Sequence, residues 1–147
     1  MAVQVKASYK LTGWNATQLK LRIPAIMTAY GKVLDQELKQ SIQTVQFPLN
    51  GDWGRSTRRR NGQTIGPGKR DIVDLGGFLR SQRRDRPDAT TLRFTWNTPY
   101  APLILNGYTT RKGTVVKGRD WIKPALEAQP LDRFFAAEWR KLSGLGL

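Results

Sequence analysis

Asp71, Asp74 and Asp85 are the closest approach in this sequence to an acid/base or metal-binding cluster, and each has arginine close by in the chain. Ordinary ion pairing accounts for them without chemistry. Histidine and cysteine are both absent. That removes the usual general base, the usual partner of a catalytic serine, the thiolate nucleophile and the commonest metal ligands together. Only carboxylates and lysines remain to run a reaction, and the acids number 11. The expectation is a protein that is not an enzyme and holds no cofactor and no metal. Gly66-x-Gly68 and Gly76-Gly77 suggest a phosphate loop, but the strand, the Gly-x-x-x-x-Gly-Lys-Ser/Thr spacing and the helix are missing, so these glycines are read as turn residues.

Arginine is the residue that stands out. Arg58-Arg59-Arg60 is joined by Arg55, Lys69, Arg70, Arg80, Arg83, Arg84 and Arg86, and a second basic group, Arg111-Lys112, follows. Guanidinium groups bind phosphate in pairs of hydrogen bonds and give salt-dependent, sequence-blind attraction to nucleic acid. The same groups suit an acidic patch on a partner subunit or a solvated loop, and the sequence leaves these three readings open. No zinc finger, helix-turn-helix or aromatic-lined RNA-binding sheet is present, so base-specific reading is not expected. Of the tryptophans, Trp96 and Trp121 follow core periodicity. Trp53 lies in a glycine-rich stretch with no apolar pattern around it and is the candidate interface aromatic.

The elements that must position these side chains form an α+β pattern. Val3, Val5, Ala7, Tyr9 and Leu11 alternate as a half-buried strand. Leu19, Ile23, Ile26, Tyr30, Val33, Leu34, Leu38, Ile42 and Val45 make one helical stripe that Asn15 can cap; Pro24 either kinks this helix or starts its longer piece, and the main helix is placed at about 24–46. Residues 48–70 show no period and read as a long, mobile, basic loop. A short helix is expected over 74–82, capped by Asp74. Leu92, Phe94 and Trp96 mark a strand over 90–96, with 83–87 as its partner and Pro87-Asp88 as the turn between them. A short apolar segment runs to Leu105 and is closed by Asn106-Gly107. Residues 108–119 read as a second flexible element, a polar hairpin or flap. Asp120 is placed to cap one helix and Pro130 to open another, reaching about Leu142, whose core face is Leu131, Phe134, Phe135 and Leu142. The whole is read as a single domain over 1–147, a long N-terminal helix packed on a small, mostly antiparallel sheet with shorter helices and long basic loops.

The net charge is +14, from 25 Lys and Arg against 11 Asp and Glu. It concentrates in residues 51–86, with ten positive and four negative side chains, and in 108–123, with five and one. No apolar run approaches the roughly 20 residues of a membrane span, and MAVQVKASYK lacks the pattern of a signal peptide. A reducing, aqueous setting is expected.

One ordered series of short segments carries a resemblance. Asp74-Leu75-Gly76-Gly77-Phe78-Leu79-Arg80-Ser81 is followed by the strand Leu92 to Trp96, then Tyr100-Ala101 with Asn106-Gly107, then Gly113-Thr114. Arg119-Asp120-Trp121-Ile122-Lys123-Pro124-Ala125-Leu126 closes the series. In order and spacing this resembles the small neck and tail-completion proteins of long-tailed bacteriophages, and the long helix before it fits. Leu105-Asn106-Gly107-Tyr108 stands where that family often has an acidic-aromatic pair, and the arginine-rich 55–60 segment is unusual for it. The resemblance implies a homo-oligomeric ring, expected to be hexameric, at the head–tail junction of a virion assembled in the host cytoplasm. It would contact other neck and tail proteins, and duplex DNA would pass through its centre. The alternative from the residues alone is a free basic module that binds nucleic acid without base specificity. Candidate contact residues for DNA or partner are Arg55, Arg58, Arg59, Arg60, Lys69, Arg70, Arg83, Arg84, Arg111 and Lys112.

Overall fold

The apolar stripe predicted for the N-terminal third is the spine of the molecule. A computed structural model describes residues 1–7, 16–44, 57–60, 62–65 and 76–143. Helix α1 spans Ala16–Thr44 and buries Ile23, Ile26, Met27, Tyr30, Leu34, Leu38 and Ile42 along one face. The placement of the main helix start at about 24 is corrected: of the two readings of Pro24, the one inside the helix holds. Proline has no N–H for the Lys20 carbonyl, which weakens the helix there. Burial of Ile23, Ile26 and Met27 on either side of the break offsets that loss.

Beneath α1 lies a three-stranded antiparallel sheet in the order β1-β5-β4, formed by β1 (Ala2–Lys6), β4 (Gln82–Asp88) and β5 (Thr91–Trp96). Val3 faces Phe94 and Val5 faces Leu92 across the ladder, so the predicted alternation sets the register. Leu92, Phe94 and Trp96 are fully buried. Residues 8–11 of the expected first strand lie outside the described residues. Two further pairs are hairpins apart from this sheet. One joins β2 (Thr57–Arg58) to β3 (Thr64–Ile65), and the other joins β6 (Gly107–Thr109) to β7 (Val115–Lys117).

The helix expected over 74–82 is shorter. Helix α2 spans Gly77–Arg80 and the chain turns into β4 at Gln82. The reason is long-range. The Gln82 side chain is buried and donates from Nε2 to the Asp35 carbonyl (3.0 Å) and to Asp35 Oδ1 (2.9 Å), which draws this residue onto α1 as a strand. Asp74, its proposed cap, lies outside the described residues. The β4–β5 turn is also displaced from the expected Pro87-Asp88 to Ala89 and Thr90. Asp88 Oδ1 accepts from the Thr90 N–H (2.8 Å) and closes the turn. Pro87 falls in the register shift between Asp85 and Asp88, where a ladder donor is not required.

Helix α3 (Ala101–Asn106) leads into β6, and α4 (Ile122–Ala128) and α5 (Leu131–Ser143) close the chain. Asp120 caps α4 as expected, accepting from the Ile122 and Lys123 N–H groups at 2.9 and 3.0 Å. In the core Trp121 meets Phe78 and Trp96 edge-on, 4.9 Å from Phe78 and 5.3 Å from Trp96 between ring centres. The Ser41 hydroxyl donates to the Trp121 carbonyl (2.7 Å), and the Tyr30 hydroxyl donates to the Gln129 carbonyl (2.7 Å), so α1 is stitched to both ends of α4. Leu131, Phe134 and Phe135 pack half-buried against this core. Among the described residues, no helix is long and apolar enough to cross a membrane.

Candidate interaction surface

Strand β4 carries the densest charge of the described residues. Only Gln82 is buried, and residues 83–88 are all exposed because β4 is an edge strand of the sheet. Alternation sends Gln82, Arg84 and Arg86 toward α1 and Arg83 and Asp85 to the other face. Arg84 lies over Gly31 of α1, where a Cβ would sit 3.2 Å from its Cδ and 3.0 Å from Leu92 Cδ2. Glycine there allows the helix and the strand to approach. Arg86 Nη1 donates to the Pro24 carbonyl and to Thr28 Oγ1 (2.8 Å), and Thr28 Oγ1 itself donates to Pro24 O (2.9 Å). The turn of α1 at the proline is thus held by a guanidinium from the sheet.

Asp35 anchors the same edge. Burial would raise its carboxyl pKa, but hydrogen bonds from Lys39 and Gln82 and the charges of Lys39 and Arg84 outweigh burial, leaving it below the ordinary carboxylate value. Arg83 Nη1 donates to the Arg80 and Gln82 carbonyls at 2.7 and 2.9 Å. Asp85 faces Arg93 across the β4–β5 ladder, and Arg93 grips it with Nε (2.9 Å) and Nη2. That grip, chiefly through the Arg93 hydrogen bonds, holds the Asp85 carboxyl below its usual range. The expected ion-pair reading of Asp85 is therefore met. Asp71 lies outside the described residues. Among the described residues, no group of three or more acidic, histidine or cysteine side chains could hold a metal.

The arginine run is divided by a structure that the sequence did not reveal. Within what reads as one loop over 48–70, Arg58 pairs with Thr64 in the β2–β3 ladder, and Arg59 and Arg60 begin the turn. The Arg59 N–H donates to the Gln63 carbonyl (2.8 Å) and the Gly62 N–H to the Arg59 carbonyl (3.0 Å). Arg58 and Arg60 are exposed and Arg59 is half-buried. Trp53, Arg55, Lys69 and Arg70 lie outside the described residues.

Residues 107–117 take the hairpin form. Arg111 and Lys112 occupy its tip, both exposed, where the Thr110 N–H donates to Thr114 O (2.8 Å) and the Gly113 N–H to Thr110 O (2.9 Å). Its base is crowded against α3. A Cβ on Gly107, whose φ is +80°, would lie 2.3 Å from the Val116 carbonyl oxygen, and one on Gly118 would lie 2.1 Å from that of Leu105. The Arg119 N–H then donates to Ile104 O (2.7 Å).

The predicted basic residues that are described therefore fall on separate elements: Arg83 and Arg84 on the sheet edge, Arg58–Arg60 on one hairpin, Arg111 and Lys112 on the other. Two kinds of feature escaped the sequence reading. Tyr100, Leu103, Tyr108 and Val115 are large apolar side chains left exposed. Two open grooves also flank α5. One, of about 720 Å³, lies between α5 and the Pro24 region of α1, and the other, of about 710 Å³, lies between α5 and the end of β1. The Val115-Val116 doublet was the available signal for the apolar group, since neighbours on a strand point to opposite faces. No family model, curated protein or solved structure matches this chain.

Proposed function

We propose that this chain is a non-catalytic structural subunit of a ring, six copies around, in the neck or tail-completion region of a long-tailed bacteriophage. The ring admits the DNA duplex through its centre, binds other neck and tail proteins, and is assembled in the host cytoplasm before it becomes part of the virion. The observation that carries this reading is the division of labour in the fold. One continuous core under α1 holds the apolar residues, while basic side chains are carried outward on two hairpins and a sheet edge. Extended basic hairpins on a rigid body suit contacts between subunits and with a polyanion. The ordered sequence segments that resemble the neck and tail-completion proteins add to it.

Native mass measurement and electron microscopy of the purified chain test the reading, with rings around a central opening expected. The exposed arginines favour a second reading, a free basic module that binds duplex DNA without base specificity. In that case the chain stays monomeric and binds unrelated duplexes alike. Replacing Arg58, Arg59 and Arg60 with Gln then lowers the salt slope of binding by about two to three units, at roughly 0.9 per phosphate contact. Monomers without such binding would remove both readings.

A further inference from the structure

Among the described residues, the large exposed apolar side chains are Leu21, Tyr100, Leu103, Tyr108 and Val115, and all but Leu21 lie between residues 100 and 115. The β6–β7 ladder sets Tyr108 opposite Val116 and Thr109 opposite Val115. Adjacent ladder pairs point to opposite faces, so Tyr108, 43% exposed, and Val115, 59% exposed, stand on the two sides of one short hairpin. Strands of three residues build no core of their own. A flat surface covers one face of such a hairpin, whereas a cleft covers both.

A single exposed acid marks one cleft beside α5. Residues 107–119 carry Arg111, Lys112, Lys117 and Arg119 and no acid. The stretch that follows, 120–138, carries Asp120, Glu127, Asp132 and Glu138 against Lys123 and Arg133, making it locally acidic in a chain of net charge +14. Copies of so basic a chain repel each other unless a basic element of one meets an acidic face of the next. Of these acids Asp132 lines the groove of about 710 Å³ beside α5. Leu131, Phe135, Ala136 and Trp139 give it apolar walls, exposed Asp132 stands on its rim, and Lys6 lies at the β1 side.

We propose that the β6–β7 hairpin of one copy seats in this groove on the next copy, with Val115 against Phe135 and Trp139 and Arg111 against Asp132. The inference rests on the ring reading above and names the contact that would build the ring. Donor and acceptor surfaces differ, so the contact is head-to-tail, the kind that closes into rings when the rotation allows.

The full chain carrying Arg111→Glu or Asp132→Arg is compared with wild type by native mass measurement and sedimentation across a concentration series. Each reversal is expected to raise the concentration at which the oligomer dissociates by roughly tenfold or more, and the double variant to restore it. The chain has no cysteine, so a second test is clean. Differently tagged Val115→Cys and Ala136→Cys chains, mixed and mildly oxidised, are expected to give a mixed disulfide dimer. An oligomeric wild type that neither reversal weakens, with no mixed disulfide, overturns the docking and leaves the ring standing. A wild type monomeric at every concentration overturns both.

Discussion

Gly118→Ala tests whether the β6–β7 hairpin depends on the tight join to α3. The added Cβ would lie 2.1 Å from the Leu105 carbonyl oxygen, 2.9 Å from Leu105 C and 3.0 Å from Asn106 C. An ordinary carbon contact is about 3.5 Å or longer, and all three neighbours are backbone, so no rotamer change relieves the clash. The chain at 118–119 must move away from α3, and the Arg119 N–H loses its 2.7 Å bond to Ile104 O. A lost backbone hydrogen bond costs about 0.5–1.5 kcal/mol and residual strain about 1–3 kcal/mol, so the join weakens by roughly 2–4 kcal/mol. None of the β1-β5-β4 ladder bonds passes through this join, so the loss is expected to be local. Hydrogen exchange at the Arg119 amide and the β6–β7 ladder amides is expected to quicken by about 30- to 1,000-fold, while the Phe94 and Trp96 amides keep their protection. Gly107→Ala is expected to act in the same direction, with a clash of 2.3 Å at a φ of +80°. Exchange at Arg119 and the hairpin equal to wild type would refute the argument.

Phe94→Ala, at a side chain with no exposure on the central strand, is expected to cost about 3–5 kcal/mol in denaturant unfolding. Burial, with a smaller contribution from the Asp132 charge, pushes the Tyr30 hydroxyl up to about 12. Its folded pKa exceeds the unfolded one, so its contribution is complete below about pH 10 and is lost as pH rises toward 12. Tyr30→Phe, followed by unfolding against pH, is expected to lack that part of the alkaline fall. Asp35 has the opposite sign, since its folded pKa is lowered. The stability it contributes is present above the ordinary carboxylate range and disappears as pH falls through the folded value, so Asp35→Ala is expected to flatten the acid limb of a melting series.

What could be read from the sequence is what local periodicity encodes. Leu92, Phe94 and Trp96 fall on one face because a strand alternates, and Ile23 to Ile42 line one stripe because a helix repeats near every fourth residue. Asp120 was recognisable as a cap because its partners are the N–H groups two and three residues on. Features set by distant partners were not. Gln82 continues a plausible helix until Asp35, 47 residues away, holds its side chain. Pro24 reads either as a kink or as a helix start, and the burial on both sides of it that decides between them depends on the whole core. The β2–β3 pair is too short, at two residues a strand, to leave a period. For the interaction surface, residue type marked the arginines. Which of them sit on an edge, at a turn or at a hairpin tip is a property of strand pairing, and the grooves beside α5 belong to no single segment.

The placement of β4 also bears on what its arginines do. Among the described residues it is an edge strand, and an edge offers a row of open backbone groups to any passing strand. β4 carries the features that block such pairing: Arg83, Arg84 and Arg86 exposed along it, Pro87, and an irregular register between Asp85 and Asp88. Several of these arginines are also engaged within the molecule, Arg86 on the Pro24 turn, Arg83 on the Arg80 and Gln82 carbonyls, and Arg84 beside Asp35. Their charge therefore has a use that needs no ligand, since it clamps the sheet to α1 and keeps the sheet from extending into another molecule. At the β6–β7 tip the balance differs. Arg111 and Lys112 stand next to exposed apolar residues, and blocking strand addition does not require Tyr108 or Val115 to face solvent. Charge combined with exposed apolar area is the pattern of a surface that meets a partner, so the proposal places recognition on the hairpin and insulation on the sheet edge.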